Sequence, residues 1–154
     1  MLFDFGVAYA EWMVKATGGE GGIVQLGGPP GVPYSAHINE GILSIFEQNP
    51  GLSLLEGPVA TDWDVGKCQQ VMSGLLTKYD QIDGVIADYG ECAVAATRAF
   101  EAAERPLPPF TGDDQNALAC TYEEKRDANP DFEIAIGESR VWAARAGLRR
   151  GLAA

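Results

Sequence analysis

Apolar residues along this chain alternate between two spacings. Short unbroken apolar runs bounded by glycine or proline are followed by longer stretches in which apolar residues return every three or four positions. The first spacing suits a strand buried on both faces, and the second suits a helix with one buried face. The pattern therefore predicts βα units on a parallel sheet. A helix over residues 5–17 ends at Gly18-Gly19, and "GIVQLGG", residues 22–28, is the first strand. Ile38, Ile42, Ile45 and Phe46 mark a crossover helix stopped by Asn49-Pro50-Gly51. "LSLLEGPVA", residues 52–60, is the second strand, and Thr61 or Asp62 is placed to cap a helix carrying Val65, Cys68, Met72, Leu75, Leu76 and Tyr79. "GVIADYG", residues 84–90, is the third strand, with Ala95, Ala96, Ala99, Phe100 and Ala103 on the helix after it.

Pro106, Pro108 and Pro109 end that helix and force an extended entry into "FTGDD", residues 110–114, the fourth strand. Residues 123–131 read as a solvated helix end and turn, and "FEIAIGES", residues 132–139, is the fifth strand. Val141, Ala144, Leu148 and Leu152 mark a closing helix. Five parallel strands with right-handed crossovers give a three-layer α/β/α, doubly wound, flavodoxin-like sheet. Ligands in such sheets sit beyond the C-terminal strand ends, where strand order reverses. Residues 29–35, Asp88-Tyr89-Gly90, Asp113-Asp114 and Glu138-Ser139 all fall on that rim.

Composition narrows the chemistry of the rim. At 154 residues the chain builds one domain, residues 1–154. Its net charge of -11 disfavours nucleic acid and anionic membranes as partners. No apolar stretch is long enough to insert in a bilayer, and the start lacks the pattern of a secretion signal. The loop "GGPPGVPYS" has prolines where a phosphate cradle needs N–H groups, so neither a nucleotide nor another cofactor is expected. His37 is the only histidine, and no catalytic serine motif is present. Ser35 reads as a helix cap. Cys68, Cys92 and Cys120 read as buried small residues, with Cys92 a core-facing thiol, because their spacing shows neither a disulfide framework nor a zinc site.

Asp113 and Asp114 leave three readings open. They fit a divalent metal site in a small doubly wound enzyme or phosphoacceptor domain. A carboxylate at a strand end also accepts hydrogen bonds from vicinal sugar hydroxyls, while rings such as Tyr34 and Tyr89 cover the apolar sugar face. In the third reading Asp113 merely caps the next helix and Asp114 faces water, in a fold that has kept no ligand.

The order "GPPG" with an "NEG" helix, "ATDWDVGK" before "MSGLLTKY", "IDGVIADYGECAVAA" and "FTGDD" resembles the ribose-binding-like periplasmic sugar-binding proteins of ABC importers, which share a fold with LacI-type repressors. The likeness runs over residues 6–152 and implies the second lobe of a two-lobed protein, the first being absent. It implies a non-catalytic, periplasmic sugar-binding role. The family's arginine falls at Ala36 beside His37, its asparagine at Tyr89, its aspartate at Asp113 and its glutamine near Glu138. Tyr34, His37, Tyr89, Asp113 and Glu138 are thereby expected to line a monosaccharide site. The implied partners are an ABC permease, a separate first-lobe chain, or a second copy forming a homodimer.

Overall fold

A computed structural model describes residues 2–113 and 116–137. The closing helix expected beyond Val141, together with Asp114, Glu138 and Ser139, lies outside the described residues. Helix α1 (Leu2–Ala16) leads into strand β1 (Gly21–Gly27), helix α2 (Pro33–Phe46) and strand β2 (Leu52–Ala60). Helix α3 (Val65–Lys78), strand β3 (Gly84–Ala87), helix α4 (Gly90–Ala102) and strand β4 (Phe110–Asp113) follow. Helix α5 (Asn116–Lys125) then gives a 3-10 turn and strand β5 (Ile134–Gly137). All strand pairs are parallel, in the order β2-β1-β3-β4-β5. The expected doubly wound sheet is therefore present, and its order reverses between β1 and β3.

Strand alternation divides the core between two faces. Val24, Leu26, Val85, Ala87 and Phe110 pack with α3, α4 and Leu118 of α5. Ile23 and Ile86 point the other way, into Tyr9, Ala10 and Met13 of α1 and Ile38 and Ile42 of α2. With both faces covered the strands carry apolar residues at successive positions, which is why they read as unbroken runs. Helices α1 and α2 cross closely because Gly6 and Gly41 lack side chains at the contact. A Cβ on Gly6 would collide with the Ile38 carbonyl, and one on Gly41 with that of Phe3.

Three local expectations are corrected. The cap of α3 is Asp64, whose side chain accepts the Lys67 N–H, because Asp62 and Trp63 adopt left-handed conformations (φ 56° and 55°) and delay the helix. Ser35 lies inside α2, which begins at Pro33 with Val32 as an uncapped N-cap. The cysteines are not three buried thiols. Cys68 and Cys92 are joined in a disulfide with Cα atoms 5.3 Å apart, tying the first turns of α3 and α4, while Cys120 is free and exposed. A residue separation of 24 hid this pair from any spacing rule, since only the packing of α3 on α4 brings the two together.

Candidate functional site

The C-terminal ends of β1 and β3, at the reversal of strand order, carry a buried polar network. After β1 the chain turns through Gly28 and residues 29–32 into α2. Ser35, in the first turn of α2, is buried; its hydroxyl accepts the Gly28 N–H at 2.9 Å and donates to Asp88 Oδ2 at 2.5 Å. Asp88 follows β3 and is 2% exposed. Its other oxygen, Oδ1, accepts the Trp63 indole Nε1–H at 3.0 Å. Burial pushes the Asp88 carboxyl above the usual carboxylate range. The Ser35 and Trp63 hydrogen bonds oppose that shift, and the charge of Asp113 adds to it.

Trp63 is held from several sides. Its left-handed backbone is costly for a bulky residue, on the order of 1 kcal/mol. Thr61 donates its hydroxyl to the Gly27 carbonyl at 2.7 Å, which fixes the loop to the end of β1. A side chain at Gly28 would overlap the indole, so glycine is what lets the ring lie on the β1 end. Tyr34 meets the indole edge-to-face with centroids 6.0 Å apart. Such a strained, over-determined residue is characteristic of a binding surface.

Asp113 ends β4 and is likewise 2% exposed. Its Oδ1 accepts the Gly90 N–H at 2.6 Å. The carboxylate thus satisfies the N-terminus of α4, a favourable place for negative charge. Tyr9 of α1 donates to the Gly112 carbonyl at 2.8 Å. Burial, with the charges of Tyr34, Asp113 and Asp88 around it, raises the Tyr9 hydroxyl far above its ordinary value, so it stays protonated.

Among the expected site residues, Tyr34 packs against the core cluster that contains Tyr9, and Asp113, like Asp88, lies near enough for its charge to act on the Tyr9 hydroxyl. Tyr89 is the N-cap of α4; its ring packs on Cys68, Cys92 and Ala95, and its hydroxyl donates to Glu91 at 2.9 Å. His37 is exposed, with Nδ1 3.2 Å from Glu40 one turn along α2, and Ala36 beside it is exposed too. Glu138 lies outside the described residues. Sequence reasoning missed Trp63, and it placed Asp88 on the rim without counting it among the site residues. Trp63 stood in a segment read as a helix cap, although an aromatic directly past a strand's C-terminal end was a usable signal. Asp88 was overshadowed by its neighbour Tyr89.

Among the described residues no cluster of three His, Cys, Asp or Glu side chains could hold a metal ion. A cleft of about 570 Å³ opens at the opposite, N-terminal ends of the strands, beside Asp83, Arg105 and Glu133. Its polar groups serve the fold: Arg105 donates to the carbonyls of Leu76, Tyr79 and Asp80, and Asp83 accepts the Gly22 N–H. The rim can accept hydroxyl donors on carboxylates and offer aromatic faces.

The sequence profile described as "Periplasmic binding protein domain" matches residues 2–128. The chain is 28% identical over 110 residues to a xylitol-binding protein of Mycolicibacterium smegmatis, a match covering 71% of this chain and 31% of that protein. A twin-arginine translocation pathway signal protein from Burkholderia phytofirmans superposes with a TM-score of 0.66 at 30% identity, over 77% of this chain and 39% of that one. An ABC transporter solute-binding protein from Burkholderia graminis, solved with D-arabinose, superposes with a TM-score of 0.74 at 18% identity, over 86% of this chain and 46% of that one, a likeness of fold. The chain thus spans less than half the length of each of these relatives.

Proposed function

This chain belongs to the periplasmic binding protein family, and from that premise we propose that it is one lobe of a binding site for a neutral monosaccharide or polyol, with no catalytic role. The observation that carries the reading is the Asp113 carboxylate at the C-terminal end of β4, on the rim that also carries the Trp63–Tyr34 aromatic pair. Carboxylate oxygens accept vicinal hydroxyls, and aromatic rings cover the C–H face of a sugar. Two buried carboxylates in one mouth repel sugar acids and sugar phosphates, which favours neutral ligands. Tyr89, His37 and Glu138 belong to the same proposed rim through the family resemblance.

Small-ligand sites bury most of the ligand surface, and a single open rim does not. The proposal therefore includes a cover: a first lobe, a separate chain supplying it, or the rim of a second copy. Delivery to an ABC permease is the corresponding transport role. The Cys68–Cys92 disulfide suits an oxidising compartment such as the periplasm, and no helix among the described residues is long and apolar enough to cross a membrane.

The test is a thermal-shift and calorimetric panel of xylitol, D-arabinose, other pentoses, hexoses and polyols, with D-glucuronate and a sugar phosphate as anionic controls. At least one neutral member should raise the melting temperature and the anions should not. A flat response across the neutral panel, or a preference for the anions, would refute the reading.

A further inference from the structure

The network around Asp88 is more than a consequence of folding. Ser35 lies 53 residues from Asp88 in sequence, in the first turn of α2 where its hydroxyl also accepts the Gly28 N–H, and Trp63 lies 25 away, in the β2–α3 loop. One carboxylate takes a bond from each, so the β1–α2 loop and the β2–α3 loop are pinned to the end of β3. Both Asp88 oxygens are taken by protein donors, Oδ2 by Ser35 and Oδ1 by Trp63, whereas the Trp63 ring is only partly buried. Residues 62 and 63 are both left-handed, and removing the tie would let them relax and release the indole.

We propose that Asp88 is the positioning residue of the mouth: it holds the Trp63 ring and the Ser35 turn in their binding arrangement without touching the ligand. The role deepens the sugar-binding reading and rests on it where affinity is concerned. The indole tie itself is independent of any ligand.

The test uses the full chain with Trp12 and Trp142 replaced by Phe, so that emission reports Trp63 alone. Asp88→Ala should red-shift that emission and raise acrylamide quenching toward the level of the urea-unfolded chain. Asp88→Asn keeps one acceptor for the indole N–H and should restore most of the protection. If the panel above yields a ligand, Asp88→Ala should weaken its binding about tenfold, the loss expected for one charge-assisted hydrogen bond. In a Trp63→Phe background the same substitution should add little, because the two act through one contact. Should Asp88→Ala fail to fold, exchange of the Trp63 indole proton in the unmutated site decides: slow exchange supports the tie and solvent-like exchange overturns it. Unchanged quenching in Asp88→Ala, or sugar affinity equal to that of the parent, also overturns the proposal. If no sugar binds the parent chain, the sugar reading fails by itself and the quenching result still decides the role of Asp88.

Discussion

Breaking the Cys68–Cys92 bond perturbs the rim from the side of α3 and α4, and its cost follows from the chain it closes. The two cysteines are 24 residues apart. In the chain-entropy treatment, a loop of that length removes about 3.5 kcal/mol of conformational freedom from the unfolded state. For a chain of 154 residues, that loss lowers the melting temperature by roughly 10 °C. Circular dichroism melts with and without a phosphine reductant measure it directly, with a Cys68→Ser/Cys92→Ser variant as the reagent-free control. Thiol titration in denaturant gives a second readout. One thiol per chain, from Cys120, should react before reduction, and three after it. Three reactive thiols before reduction, or a melting temperature indifferent to both reductant and substitution, would refute the assignment.

Gly6→Ala drives a methyl into the Ile38 carbonyl where α1 crosses α2, and should destabilise the fold by about 1 to 3 kcal/mol in urea unfolding. Gln25, fully buried on β1, has neither amide atom hydrogen-bonded among the described residues. Gln25→Leu should therefore stabilise the fold by about 1 to 3 kcal/mol, the cost of the unmet amide. Asp88, facing Ser35, Trp63, Asp113 and Tyr9, has a folded-state pKa raised above 3.8, first by burial. Its folded form holds the proton more tightly, so its contribution is fully present below 3.8 and is lost as pH rises through the raised value. Asp88→Asn should remove that fall, so urea midpoints of variant and parent should diverge in the variant's favour as pH rises through this window.

Much of this molecule is written in local pattern. Ile38, Ile42 and Phe46 at helical spacing, and "GIVQLGG" and "GVIADYG" between glycines, specify elements because burial on one helical face or on two strand faces imposes its own period. The parallel arrangement and the rim positions of Tyr34 and Asp113 follow from the alternation of those elements. What the tertiary structure alone decided is which rim groups meet. Asp88 receives Trp63 and Ser35, Asp113 turns to Gly90 at the start of α4, Cys68 finds Cys92, and His37 pairs with Glu40. Except for the His37 pair, these contacts join residues 23 or more apart, and they depend on strand register and on left-handed turns at Asp62 and Trp63. A period records only whether a side chain faces the core. It carries no information about which distant group shares that face, because that is fixed when the layers pack.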